Sequence, residues 1–583
     1  MGKIKLPSIN QLRRRADKVE KVARTHRRRF FRTQTAGEAR VVRSAVVVWF
    51  LVIVGLLGAV IAGKILTDYT ITTTAGVPGG SYVEGIVGEI SSFNPILAET
   101  EDEKAVSSLM YSSLLKTDRT NTLAGDLASS WTVSGDGLVY TVKIREDAKW
   151  QGGDTTITAD DVLFTINLIK DPLLKSPLAD TWRSIRAEKV DGSTLTFSLR
   201  TPVQTFPWAL TFGVLPKAEL QDIKVEDLRE YLSEHNITGS GPFAYRSSSA
   251  TAAGSKILLF APNSAYYGGK PQIDSLHITT YEDIGSMVNG FRNGEINVAT
   301  GINVDVAQHM ASETHITPIF GEVMALFNLD SPVLSDVQLR RALRLGIDRD
   351  FVRSSVAIDG RLPNPAETPL AANTTIDYLV QPAVNPDEAD KLLSQLGYVW
   401  SKDLNRTKDG VPLRLNIATV EGSDYEIVAK NLADQWRRLG IEADVTLSAK
   451  ENIQENVIIP RNYDVLVYQL QLGGDGDVYA YWHSSGAKSG GLNLSAYKSP
   501  VADLSLTRAR TQLDMGARET SFRTFVTAWL EDAPAIALYQ ANLYYLRGDE
   551  VRAWGGQTLI DKSVRFRNVG DFTAKTTIVN KTP

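Results

Sequence analysis

The residues best equipped for chemistry lie in YDVLVYQLQLGGDGDVYAYW, residues 463–482, where Asp475 and Asp477 stand two apart in a glycine-rich turn. Paired carboxylates can do acid–base work, but closeness in sequence does not set them on either side of a scissile bond. The alternation before the turn puts Gln469 and Gln471 with Val465 and Val467 on one strand face, and Tyr468 with Leu466, Leu470 and Leu472 on the other. At a strand end the two glutamines can face a cleft, with Tyr479 and Trp482 just beyond. The turn 473–477 reads equally well as a ligand-facing loop or as a solvated glycine–aspartate loop.

Catalytic signatures are missing elsewhere. The sequence has no H-E-x-x-H and no G-x-S-x-G, and its one partial phosphate-loop match, residues 58–64, carries Ile65 where Ser or Thr would bind magnesium. Asp160 and Asp161 are explained by a helix start. His483 has no second ligand at metal spacing. With no cysteine in 583 residues, disulfides, thiolate metal sites, cysteine nucleophiles and a lipid on an N-terminal cysteine are all excluded. These absences argue against an enzyme, and no catalytic residue, cofactor or metal is expected.

The elements that must position this stretch are mixed α/β. Leu138, Tyr140, Val142 and Ile144 share one parity and predict a half-buried strand after the Gly135-Asp136-Gly137 turn; Leu195, Phe197 and Leu199 predict another. Thr158 and Asp161 have capping-box spacing and open a helix over 159–170, with Val162, Leu163, Ile166 and Ile169 as its apolar face. Asn385-Pro386 opens a helix that stops at Gly397, and a second helix over 427–439 stops at Gly440. Strands are expected around Leu413, Leu415 and Ile417 and over 464–472. The length calls for two or three lobes, without a strict βαβ repeat.

Residues 44–63, SAVVVWFLVIVGLLGAVIAG, form an uncharged run long enough to cross a bilayer once as a helix. The 43 residues before it carry 14 Lys and Arg against three acids, a net +11, whereas the rest of the chain carries −15. Arginines packed beside a span are the positive-inside signal, so the basic head reads as cytoplasmic and membrane-facing rather than as a nucleic-acid site. The predicted layout is a cytoplasmic segment 1–43, a transmembrane helix 44–66 and a Thr/Gly-rich spacer 67–80. A single-pass protein of the cell membrane results, with its long C-terminal part outside.

Four stretches in order then resemble the extracellular solute-binding proteins of the oligopeptide and dipeptide class, family 5, which serve ABC importers. They are LASSWTVSGDGLVYTVKIREDAKWQGGDTTITADD (127–161); GSGPF (239–243) with YYGGKP (266–271) and NGEI (293–296); FNLDSPVLSDVQLRRALRLGIDR (327–349); and DAPAIALY (532–539). The resemblance implies a two-lobed clamp of the periplasmic-binding-protein type II class with an extra inserted domain. Lobe I would hold 80–113, 200–322 and 540–583, the inserted domain 114–199, and lobe II 323–539, with hinge strands near 324–328 and 538–545. It also implies a peptide ligand held largely through its backbone and delivered to ABC permease subunits.

Within that resemblance, an aspartate after the 464–472 strand pairs with the ligand's amino terminus. Aligned on Asp477, the family's position falls at Gly474, so either Asp475 reaches the amine from a shifted turn or a free amino terminus is not held in the usual way. Glu99 corresponds to a cleft-edge segment and Trp182 to an aromatic near the ligand, while Tyr479, Trp482, Tyr539 and Tyr545 are candidates for the cleft walls. Nickel, haem and oligosaccharide ligands occur on the same fold, and a sensor signalling through a partner protein is the other reading.

Overall fold

The computed structural model describes residues 21, 46–60, 62, 72–250, 254–370, 379–554 and 557–580. It divides into two units, one comprising Met1–Ala75 with Thr577–Pro583 and the other Gly76–Thr576. In the first unit, residues 46–60 and 62 are helical and exposed. The rest of the expected 44–66 span, and all of the basic head except Lys21, lie outside the described residues. Fifteen consecutive residues rise about 22 Å against a hydrocarbon core of about 30 Å. Among the described residues no helix is long and apolar enough to cross a membrane.

The spacer expected over 67–80 is different in its described part: Thr72–Gly76 is a strand paired with Thr576–Asn580. The β-branched threonines that made this stretch look like a linker favour an extended, paired backbone.

The second unit is built on one mixed ten-stranded sheet. Its strands in chain order are β1 (Ser81–Val87), β2 (Phe243–Ala250), β3 (Lys256–Pro262), β4 (Ser275–Tyr281) and β5 (Val298–Thr300), then β6 (Thr314–Phe327), β7 (Arg414–Val420), β8 (Glu442–Ser448), β9 (Val465–Gln471) and β10 (Ala535–Arg547). Across the sheet they run β8-β7-β9-β6-β10-β5-β1-β4-β3-β2. The long antiparallel pair β6–β10 lies between two groups of strands. Thr314–Pro318 pairs with 542–546, and Glu322–Leu326 pairs with 535–540, the register slipping between Pro318 and Glu322. In that gap Phe320 leaves the ladder and donates its N–H to the carbonyls of Leu559 and Ile560. The sheet thus changes partners halfway along two shared strands.

A separate antiparallel sheet of Ala128–Val133, Val139–Ile144, Thr194–Ser198 and Arg186–Lys189 lies within the stretch expected to form the inserted domain. Helix Ala159–Lys170 starts at the Thr158/Asp161 capping box. On β9 the two faces separate as the alternation predicts: Val465 and Val467 join one core, and Leu466, Leu470 and Leu472 join another with Trp482 and Trp529. Those two indoles meet edge to face at 5.6 Å.

Gly239 and Gly241 of the GSGPF stretch lie where the backbone crosses the end of a helix. A Cβ on Gly239 would sit 2.2 Å from the Met110 carbonyl oxygen and one on Gly241 2.5 Å from that of Leu109, so both are required by close approach to the end of helix Glu101–Met110.

Candidate functional site

β9 ends at Gln471, and after Leu472 residues 473–477 form the turn that the sequence singled out. Leu472 N–H donates to the Phe320 carbonyl, which fixes where the turn leaves the sheet. Gly473, Gly474, Asp475 and Asp477 then border a cleft of about 1130 Å³. The opposite walls come from the 98–126 region, from 178–213 around the inserted domain, from the Tyr266–Gln272 loop and from the 560–571 segment after β10. Gly474 packs against Trp208, which sits on the short 3-10 turn Phe206–Thr211. A Cβ at Gly474 would lie 2.2 Å from the indole and 2.6 Å from Ile560 Cδ1. The two sides of the cleft therefore meet at this glycine, and the aspartate that the family pattern places here has no room.

The two aspartates differ in their surroundings. Asp477 Oδ2 is held by Arg510 at 2.7 Å and its Oδ1 accepts the Tyr479 N–H, while the Arg510 guanidinium lies 4.3 Å from the Tyr479 ring centroid. Asp475 is half-buried and makes no ion pair among the described residues. Its Oδ1 accepts only the Asp477 N–H, at 3.0 Å, and its carbonyl accepts from Arg518 NH2 at 2.9 Å. Burial pushes its carboxyl above the usual range, against the lowering effect of the Asp477 amide. A cation brought to this carboxylate would relieve that desolvation.

Elsewhere on the wall Asp126 is neutralised by Lys116 at 2.9 Å and accepts from Tyr267 Oη at 2.5 Å. Lys104, Arg200 and Lys270 border the cleft with no ion-pair partner among the described residues. A cleft with one uncommitted carboxylate and several uncommitted cations suits a ligand carrying both signs of charge.

The remaining candidates are dispersed. Trp182 is 1% exposed, packed edge-on against Phe212 at 5.3 Å, and it also borders the cleft. Glu99 is exposed and is not a lining residue, although its neighbour Ala98 is. Gln469 Oε1 accepts from Tyr425 Oη, and its Nε2 donates to Gln471 Oε1. Gln471 Nε2 donates to the carbonyls of Phe320 and Ile560 at 3.0 and 2.8 Å. The glutamines thus tie β9 to β6 and to the 560–571 segment, and neither lines the cleft. Tyr468 lies near Tyr425, and Tyr479 stacks on His483 at 4.1 Å.

Three further aromatics are packing residues. Trp482 is 1% exposed beside Trp529, Tyr545 is buried against Trp554 at 4.7 Å, and Tyr539 is buried on β10 with an unpartnered hydroxyl. His483 Nδ1 lies 2.9 Å from Ser485 Oγ. Among the described residues no cluster of three or more His, Cys, Asp or Glu could hold a metal ion.

Sequence reasoning missed Trp208, Arg510, Lys116 and Tyr266. No local pattern could have found the first two, because Trp208 and Arg510 reach the turn only through tertiary packing.

A profile of the bacterial extracellular solute-binding proteins, family 5, middle region, matches residues 122–491. The chain is 27% identical to the oligopeptide-binding protein AppA of Bacillus subtilis, over 84% of this chain and 92% of that one. It is 24% identical to the periplasmic oligopeptide-binding protein OppA of Escherichia coli, over 87% and 95%. Among solved structures, AppA of B. subtilis in complex with a nonapeptide superposes with a TM-score of 0.68 at 23% identity, covering 86% of this chain and 99% of that one. NikZ of Campylobacter jejuni in complex with Ni(L-His) gives 0.69 at 24% identity, over 85% and 99%. These neighbours share the two-lobed fold, and the family is one of solute-binding proteins rather than enzymes. With the matched profile covering well over half of the sequence, the chain belongs to the bacterial extracellular solute-binding proteins of family 5.

Proposed function

We propose that this protein is a membrane-tethered extracellular receptor that closes on peptides and delivers them to an ABC importer. The observation that carries the reading is the cleft of about 1130 Å³, bordered by Asp475 on one side and by uncommitted cations on the other. Its size suits an extended peptide of several residues better than a single ion. The relatives described as oligopeptide-binding proteins support the same ligand class. In this reading Asp475 receives the ligand's ammonium group, Trp208 and Trp182 form apolar wall, and the hinge at 318–322 lets the Gly473–Asp477 turn swing away from Trp208. The apolar run 44–63 is the tether and the basic head stays on the cytoplasmic side.

Two measurements test this. Mass spectrometry of the ligand that co-purifies with the protein is expected to find peptides; a metal chelate, a haem or a sugar in their place overturns the ligand class. Binding of free and N-acetylated peptides by the wild type and by Asp475→Asn tests the amine contact. The substitution is expected to weaken free peptides about 10- to 100-fold, as removal of a charge-assisted bond does, and to leave acetylated ones nearly unchanged. Equal effects on both kinds refute the contact.

A further inference from the structure

Away from the cleft, helix Val337–Leu345 and the start of the next helix, Arg349–Ser355, bring four arginines together: Arg340, Arg341, Arg344 and Arg349. Three of them are accounted for. Arg340 donates to the carbonyls of Leu334, Ser335, Asp532 and Ala533. Arg341 Nε donates to the Glu531 carbonyl at 2.8 Å, and Arg349 pairs with Glu367 at 2.8 Å.

Among the described residues Arg344 has no such partner. Its side chain belongs to a residue only 7% exposed, and Nε and NH1 are shut off from water with nothing to donate to. The charges acting on it are those of Arg341 and Arg349, both of its own sign. Burial first, and those neighbours second, push the guanidinium down to about 10.

Arg344 borders a second pocket of about 290 Å³, walled by Leu379, Pro382 and Leu530 and edged by Arg341 and Thr527. Glu531 reaches the same rim, but it is exposed and is not among the charges acting on Arg344. We propose that this pocket is a second ligand site, independent of the peptide cleft, for a small oxyanion, carboxylate or phosphate monoester, carried on an apolar body.

A buried cation with no opposite charge beside it is strongly unfavourable, so a fold that keeps one gains from a ligand that neutralises it. Guanidinium presents planar donors that match the oxygens of carboxylate and phosphate. The apolar walls select against a fully hydrated inorganic ion. The pocket of about 290 Å³ is largely open to solvent, so the ligand's apolar body would rest against Leu379, Pro382 and Leu530 rather than be enclosed.

The test is thermal unfolding of the full chain in low-chloride buffer with hexanoate, hexyl phosphate, hexanol, or sodium chloride at matched ionic strength. At least one of the two anionic amphiphiles is expected to raise the midpoint by several degrees, with hexanol and chloride ineffective; the larger response identifies carboxylate or phosphate as the preferred group. Arg344→Met is expected to abolish the response, to keep peptide binding unchanged and, with its unpaired charge gone, to melt higher than wild type without added anion. Arg341→Gln is expected to weaken the apparent affinity about 3- to 10-fold. A wild-type midpoint insensitive to both amphiphiles overturns the proposal, as does a response that survives in Arg344→Met. Failure of Arg344→Met to fold, or its melting below wild type without anion, also overturns it, because Arg344 would then be supporting the fold.

Discussion

Gly474 sets how closely the two walls of the cleft approach. Its missing side chain is the space occupied by the Trp208 ring, so Gly474→Ala forces a methyl to 2.2 Å from an indole carbon. Overpacking of this kind costs about 1–3 kcal/mol. In the proposed clamp this strain falls on the closed form, so it is expected to appear as a roughly 5- to 100-fold loss of peptide affinity by calorimetry, with a larger radius of gyration in solution scattering. Trp208→Ala in the same chain is expected to restore part of the loss, and unchanged affinity in Gly474→Ala refutes the closing contact. The turn itself was legible, since alternation ending in glycines and aspartates marks a strand end. The separate roles of its two acids were not: Arg510 neutralises Asp477 from a helix that no spacing links to it, leaving Asp475 uncommitted. Nor could sequence show that Gln469 and Gln471 spend their hydrogen bonds on Tyr425, Phe320 and Ile560, because those partners belong to other strands and segments.

Helices and strands with strong periodicity are where sequence reasoning succeeds. The predicted helix over 159–170 forms over those same residues, and Asn385 caps a helix beginning at Pro386. The helix expected over 427–439 begins earlier, at Asp424, because its N-cap, Ser423, precedes the first apolar position of the stripe. What periodicity cannot reveal is contact between elements. Asp424 Oδ1 accepts the N–H of Val304, the first residue of helix Val304–His309, at 2.8 Å. One helix follows β7 and the other follows β5, so this bond spans the two sides of the β6–β10 pair.

Burial pushes the Asp424 carboxyl up to about 6, against the lowering effect of the Val304 amide. Tyr425, Tyr539 and Tyr544 surround it. With the native value above the unfolded one, the native state binds the extra proton. Its stabilising contribution is complete below about pH 4 and is lost as pH rises through about 6. Asp424→Asn keeps the acceptor without the charge, so it is expected to match wild type near pH 4 and to be more stable by roughly 1–2 kcal/mol at pH 7–8. Urea unfolding across that range checks this, and parallel curves for the two proteins refute it.

For the whole molecule, a two-lobed clamp was legible only because four separated stretches occur in one order; composition alone yields no more than a large mixed α/β protein. The β6–β10 register slips just before the 324–328 stretch where the hinge is expected, because the ladder breaks where Phe320 turns to the 559–560 segment. The tether is tested by fractionation: the full chain is expected in membranes, and a chain beginning at residue 72 in the soluble fraction with equal peptide affinity. A native N-terminus mapped near Gly80 overturns the anchor.

Where the clamp begins and ends bears on how it carries load. Val77 N–H donates to the Lys575 carbonyl at 3.0 Å, Ala574 N–H to that of Gly79 at 3.2 Å, and Gly79 N–H to that of Gln272 at 2.8 Å. Both ends of the clamp are therefore stitched to each other beside β1 and β4, on one side of the long strand pair. Under the proposed tether, tension on the N-terminal segment would fall first on these bonds to residues 575 and 272 and on the pairing of 72–76 with 576–580, rather than on β6 or β10. For the proposed receptor, drag at the surface would then load this stitch before the strands that join the two halves of the sheet.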